Sequence, residues 1–256
     1  MPSLRSGQEQ FRAGVIQPLT TSDGEANPPP DPEGFKVWRP GLVKYRDALT
    51  FQAELLDQRH YWNHDLLILL EHPPVITCGR KTEPGNLLWD QETLQATGID
   101  CVPSQRGGDI TLHSRGQLVG YPIVDLNHYD KDLHRYLRQL EEILIRTLAD
   151  FGLTGTALPG KTGVWVEDRK IASIGIAVRH WISYHGFAMN IDNDLSEFDA
   201  IIPCGLTGVT MTSMCRELGK PVAKNQVAEI LIGHFGAVMQ RPLLGNFDDT
   251  TTPTQA

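Results

Sequence analysis

The chain has 256 residues, 40% of them hydrophobic and 21% charged, with a formal net charge of −8, which is enough for one domain with a substantial core. The acidic balance excludes nucleic acid as the main partner, and no apolar run approaches the length of a membrane span. The N-terminus lacks the basic start and apolar core of a secretory signal, and Glu9, Asp23 and Glu25 interrupt anything resembling a transit peptide. Four cysteines, Cys78, Cys101, Cys204 and Cys215, are too few for a disulfide scaffold and form no C-x-x-C, so free thiols in a reducing cytoplasm are expected.

Residues 1–33, ending in "NPPPDPE", are polar and proline-rich and predict a disordered tail. The folded domain is expected over 34–244, with a loose tail over 245–256. "FKVWRP" predicts a short strand, and 43–62 place apolar residues at helical spacing. "DLLILLEH" is a continuous apolar run of strand length, as for a strand buried on both faces. "PPVITCGR" adds a strand, 90–97 a short helix, and 99–125 glycine-punctuated β structure. Residues 131–151 form the clearest amphipathic helix, with Leu133, Leu137, Leu140, Leu144 and Leu148 on one stripe and Gly152 placed to stop it. "GVWVEDRKIASIGIAVRHWISYHGFAMNI" reads as three strands with Glu167-Asp168 as a turn, and 221–240 as a last helix. Helices bracketing runs of strands predict an α+β domain with a mixed, largely antiparallel sheet.

Candidate chemistry concentrates in four places. In "RGGDITLH", Arg106 to His113, two glycines allow close backbone approach to a ligand; a lone Gly-Gly would be only a hairpin turn, but an arginine before it and a histidine after it favour binding. Lys170 sits at a hairpin where a lysine is ordinarily solvated, yet "IASIGIAV" behind it is a small-residue strand that leaves space. A lysine at the mouth of such a slot can be partly desolvated and suited to base work. His185 precedes Gly186 in a strand and is either structural or catalytic. His60 and His64 are spaced i,i+4 as on a helix, but without a third ligand they predict no metal site. Cys204 lies in "IIPCGLTGVTMTSM" at a Pro-Cys-Gly break where side chains project. A thiol is a nucleophile as its thiolate; the flanking residues carry no charge, so the activator comes from elsewhere, with Lys170 and His185 as candidates. Cys215 reads as packing.

Together "EHPPVITCGR", "RGGDITLHSRGQLVGYPIVDL", "GKTGVWVEDRKIASIGIAV", "HGFAMNI" and "IIPCGLTGVTMTSM" resemble, in order and spacing, the lipoyl(octanoyl) transferase family, from about Phe35 into the 240s. The resemblance implies the fold of lipoate and biotin protein ligase catalytic modules. It also implies transfer of an octanoyl group from acyl carrier protein to a lysine of lipoyl domains or the glycine-cleavage H protein. Cys204 would carry the acyl-thioester and Lys170 would promote its ionisation. The substrate would be bound by Arg106, Gly107, Gly108, Asp109, Ile110, Thr111, Leu112 and His113, by Ser173, Ile174 and Gly175, and by Gly186, Phe187 and Ala188. Backbone N–H groups at Gly205 and near Gly175 would meet the oxyanion. No cofactor, metal or membrane is implied, and action as a monomer is expected. "SRGQ" stands where many members have Pro-Gly-Gln, with Gly116 and Gln117 retained. Arg106, Arg115, Arg135, Arg138, Lys161 and Arg179 are candidates for docking acidic partner proteins. The alternatives are an ATP-dependent lipoate–protein ligase, a hydrolase with a Cys204–His185 dyad, and a non-catalytic lipoyl-domain binder.

Overall fold

The apolar run Leu66–Leu70 lies at the centre of the molecule, in strand β2 (His64–Glu71), and is buried on both sides. The structure, a computed structural model, describes residues 32–59 and 62–247. Leu66, Ile68 and Leu70 point to helix α1 (Tyr45–Gln58), where they meet Ala48, Phe51 and Leu55. Leu67 and Leu69 point the other way, to helices α3 (Leu133–Ala149) and α5 (Lys224–Met239), through Leu140, Leu144, Leu231 and Phe235. Period-2 alternation thus divides one strand between two cores.

Around β2 run β1 (Gly34–Leu42), β6 (Gln117–Ile123), β10 (Ile182–Asn190), β9 (Arg169–Arg179), β8 (Lys161–Val166) and β7 (Thr156–Leu158). With β12 (Leu243–Asn246) on the outer side of β1 and β11 (Thr210–Met211) beside β9, they make a nine-stranded sheet in the order β12-β1-β2-β6-β10-β9-β8-β7. The pairs of β1 with β12, β1 with β2 and β11 with β9 are parallel; the other pairs in this sheet are antiparallel. A second sheet, β4-β3-β5, comprises β3 (Val75–Cys78), β4 (Asp100–Pro103) and β5 (Ile110–His113). Helix α2 (Gln91–Thr97) packs on it through Leu94. This is the expected α+β domain.

Glu167 and Asp168 form the β8–β9 turn, with Glu167 at φ 55°. Several boundaries differ from expectation. Helix α1 stops at Gln58; His60 lies outside the described residues, and His64 opens β2 instead of sitting on a helix. Gly245 and Asn246 belong to β12, which pairs with β1, because the edge of β1 offers free backbone groups that a following segment can satisfy. Apart from Pro32 and Glu33, the N-terminal tail expectation concerns residues outside those described. Helix α3 begins at Leu133, which is exposed, under an Asp132 side-chain cap; it ends at Ala149, and Gly152, at φ 81°, turns the chain there as expected, with the Leu153 N–H donating to the Leu148 carbonyl at 3.1 Å. The five-residue helix α4 (Met214–Leu218), capped by Ser213, was not expected. Among the described residues, no helix is long and apolar enough to cross a membrane.

Candidate active site

The segment that opens on Ile201 and Ile202 is held before it reaches the cysteine. Ile201 bridges to Leu87, and the Ile202 N–H donates to the Asn86 carbonyl at 2.8 Å. Pro203–Gly205 then closes a single 3-10 turn in which Cys204 has φ 58°. A left-handed non-glycine residue is strained, and such strain persists only where the surroundings enforce it. Here the clamp is Asp109. Its Oδ2 accepts from Asn86 Nδ2 at 2.6 Å and its Oδ1 from the Ile110 N–H at 2.6 Å. A Cβ on Gly205 would lie 2.3 Å from Asp109 Oδ2, so only glycine lets the turn rest against that carboxylate.

Lys170 reaches the thiol from the opposite side. It is the second residue of β9, 1% exposed, and its Nζ donates to Cys204 Sγ at 3.0 Å. β11 holds the strand from its free edge, the Thr212 N–H donating to the Lys170 carbonyl at 2.9 Å. The side chain passes over Gly163, where a Cβ would stand 2.8 Å from Lys170 Cε. Gly163 itself donates to the buried Glu141 carboxylate at 3.0 Å. The ammonium lies 5.4 Å from the centre of the Trp165 ring, a cation–π contact that partly compensates for its burial. Ser173 Oγ is 3.9 Å from the same sulfur.

Both groups open into a cavity of about 390 Å³. One wall is β9 and β10; the other is the Arg106–Asp109 loop, whose Gly107 N–H donates to the Ile176 carbonyl at 2.8 Å. Arg106 is 7% exposed and spends its guanidinium on Thr77, with Nε to Oγ1 at 3.0 Å and Nη2 to the carbonyl at 2.5 Å. It fixes the loop and is no docking residue. Strand alternation splits the predicted binding stretch: Thr111 and His113 face the cavity, whereas Ile110 and Leu112 pack into the small-sheet core. Ser173, Ile174, Gly175, Gly186, Phe187 and Ala188 all line the cavity, as do Gly107, Gly108 and Asp109.

The buried end is a polar wall of Tyr45, His113, Tyr121 and His185, residues that sequence reasoning named only in part. Behind it His72 connects Val43 and Tyr121. Nδ1–H donates to the Val43 carbonyl at 2.6 Å and Nε2 accepts from the Tyr121 hydroxyl at 2.7 Å, the tautomer this network requires. Burial lowers the pKa of His72 to about 4 and that of His185 to about 3, where Arg106 adds a smaller effect. His113 is held well below the ordinary histidine range by burial, then by His72 and Arg106. These rings are neutral. Of the two candidate activators of Cys204, Lys170 makes the contact; neither ring nitrogen of His185 has a hydrogen-bond partner in the protein. The Gly205 N–H donates to the Ile202 carbonyl at 3.0 Å, so the turn consumes that candidate oxyanion donor.

At the exposed mouth stand Lys161 and Lys81, the latter not anticipated. Arg135, Arg138 and Arg179 are paired with Asp130, Glu141 and Asp57, and Arg115 is exposed but does not line the cavity. Tyr45, at the start of α1, and Asn86, in a 3-10 turn, carry no sequence signal: each joins the site through chain reversal alone. Cys78 and Cys101 are free, their sulfurs 3.4 Å apart across β3 and β4, and Cys215 is also free. Among the described residues no cluster of three His, Cys, Asp or Glu could hold a metal.

Residues 44–236 match the family profile described as the lipoyl protein ligase A/B catalytic domain. The curated octanoyltransferase of Solibacter usitatus is 44% identical over 205 residues, covering 80% of this chain and 92% of that protein. The octanoyltransferase of Geobacter metallireducens is 45% identical over 204 residues, covering 79% and 92%. Among solved structures, lipoate-protein ligase A bound with ATP superimposes with a TM-score of 0.67 at 16% identity, covering 85% of this chain and 90% of its own, a likeness of fold.

Proposed function

The chain belongs to the lipoyl protein ligase A/B catalytic domain family, and on that premise we propose that it moves an octanoyl group in two steps through a Cys204 thioester. Its relatives at 44–45% identity are octanoyltransferases, and it is an acyltransferase of protein lipoylation. The observation that carries the mechanism is the 3.0 Å contact between Lys170 Nζ and Cys204 Sγ, two residues 34 positions apart.

The donor is octanoyl-acyl carrier protein. An ammonium at hydrogen-bond distance stabilises a thiolate, the reactive form. The thiolate attacks the octanoyl carbonyl, the bond from that carbon to the pantetheine sulfur breaks, and the departing thiolate takes its proton from Lys170. The acceptor lysine of a lipoyl domain or H protein enters as the neutral amine and attacks the Cys204 acyl group, and the one proton its nitrogen sheds as the amide forms passes to the neutral Lys170. The amide forms, Cys204 leaves as thiolate and Lys170 is again an ammonium, so the proton balance closes. Exchange of one thioester for another is nearly balanced and amide formation is downhill, so the reaction needs no nucleotide. The binding stretches that line the cavity, Gly107 to Asp109, Ser173 to Gly175 and Gly186 to Ala188, hold the acyl group and exclude water from the intermediate. Burial of the C8 chain contributes about 0.8 kcal/mol per methylene. Lys161 and Lys81 at the mouth meet the acidic carrier and lipoyl domains. Free cysteines fit a reducing cytoplasm.

Intact-mass measurement after incubation with octanoyl-acyl carrier protein tests this. One octanoyl adduct is expected, discharged on adding a lipoyl domain and absent from Cys204→Ser. An unchanged adduct on Cys204→Ser would move the nucleophile elsewhere. Transfer of free octanoate that requires ATP and proceeds without Cys204 would replace the proposal with a ligase mechanism.

A further inference from the structure

His185 lies inside β10, paired with Ile176, yet has φ 55°. Regular alternation would put its side chain on the face of Phe187, toward α3 and α5. Instead its ring lies 4.9 Å from that of Tyr184 and 6.2 Å from that of Tyr121, on the α1 side, and it lines the cavity that holds Cys204. The twist is enforced: the His185 N–H donates to Gln52 Oε1 at 2.8 Å, and Gln52 Nε2 is anchored to the Ala48 carbonyl. The ring is 2% exposed, and neither Nδ1 nor Nε2 has a hydrogen-bond partner in the protein. A strained backbone that delivers a buried, unpartnered polar ring into a cavity is an outlier that points to a ligand.

Its place along the sheet indicates which part of the ligand it meets. Ser173, beside the thiol, pairs with Ala188, whereas His185 pairs with Ile176. The two levels are three residues apart, about 10 Å at about 3.3 Å per residue. An extended eight-carbon acyl chain, with C–C bonds of about 1.5 Å, has a similar reach of about 9 Å. We infer that His185 is the specificity-determining residue that ends the acyl slot and sets its length at eight carbons.

This rests on the acyl-transfer reading and adds to it a reason for chain-length choice. An apolar slot alone binds each additional methylene more tightly and cannot reject a longer chain. The His185 ring is fixed by its positive φ and by the Gln52 contact, so a chain longer than the slot presses a methylene against a side chain that cannot turn aside, and that overpacking reverses the gain. Octanoyl stops at the ring; decanoyl and dodecanoyl run into it.

The test compares wild type with His185→Asn and His185→Ala, using hexanoyl, octanoyl, decanoyl and dodecanoyl pantetheine thioesters and the rate of Cys204 adduct formation by intact mass. Asparagine tolerates positive φ and shortens the side chain. Wild type should prefer octanoyl, and in the variants the decanoyl-to-octanoyl and dodecanoyl-to-octanoyl rate ratios should rise at least tenfold. Unchanged ratios in a variant that still forms the adduct would overturn the inference. Wild-type protein gives a measurement independent of variant folding: the ¹⁵N resonances of the His185 ring should move on octanoylation and much less on hexanoylation. Equal responses, or none, would also overturn it. Failure of every donor to acylate wild-type Cys204 would instead bring down the acyl-transfer reading itself.

Discussion

At the scale of single residues, the site depends on two side chains brought together under constraint. Cys204 is held at positive φ by Asp109 and Asn86, and Lys170 is threaded between the Trp165 ring and the bare backbone of Gly163. A lysine 1% exposed and aimed at sulfur has few other places to deliver its proton, so its removal should cost the full general acid–base contribution. Lys170→Ala is expected to slow octanoyl adduct formation by about 10²–10⁴-fold with a circular dichroism spectrum like wild type; an unchanged rate would remove Lys170 from the mechanism. The Pro-Cys-Gly break marked Cys204 in the sequence because a thiol at a chain bend projects. Lys170 was visible only through the space behind it, since a lysine next to a hairpin is ordinarily solvated. Asn86 was not visible at all: its carbonyl and amide act on residues more than twenty positions away.

At the scale of elements, close strand contact shapes the cavity walls, and two glycines permit it. A Cβ on Gly186 would fall 2.2 Å from the Gly120 carbonyl oxygen, and one on Gly120 would fall 2.1 Å from Phe187 Cζ. β10 and β6 are therefore drawn together next to the twisted His185, and the obstacle at Gly186 is backbone, which cannot rotate away. Gly186→Ala should destabilise the domain by about 1–3 kcal/mol, the usual range for overpacking, and lower octanoyl adduct formation as β10 shifts. Urea denaturation followed by tryptophan fluorescence checks the first effect and intact mass the second. Elements with a strong period were legible: the β2 run, the α3 stripe from Leu140 onward and the β8–β9–β10 succession fold where hydrophobic patterning put them. The two-residue β11, the three-residue β7 and the four-residue β12 were not. Segments so short have no period to read and exist because a neighbouring strand edge has hydrogen bonds to offer.

At the scale of the whole molecule, the polar wall behind the cavity ties stability to pH. His72, His113 and His185 are buried and neutral, with pKa values of about 4 for His72, about 3 for His185 and well below the ordinary range for His113, all through burial first. In the unfolded chain each titrates at about 6.5. Above that pH neither state binds a proton and the wall costs nothing. As pH falls below 6.5 the unfolded chain takes up protons that the native state refuses, so stability falls with pH. Each ring contributes a slope of up to about 1.4 kcal/mol per pH unit, maintained for His72 and His185 until pH approaches 4 and 3 respectively. His64, also lowered to about 4 by burial and then by Lys36 and Arg59, adds in the same direction. Asp65 opposes: burial raises its pKa despite its ion pair with Arg59, so the native state gains a proton first there. Unfolding free energy from urea titrations should therefore be flat between pH 8 and 7 and fall steeply between pH 6 and 5. His72→Gln, which retains a donor and an acceptor for Val43 and Tyr121 but cannot titrate, should lower that slope by about one histidine's share. A slope unchanged in His72→Gln would mean that His72 binds its proton equally in both states, and that the ring is not neutral in the fold.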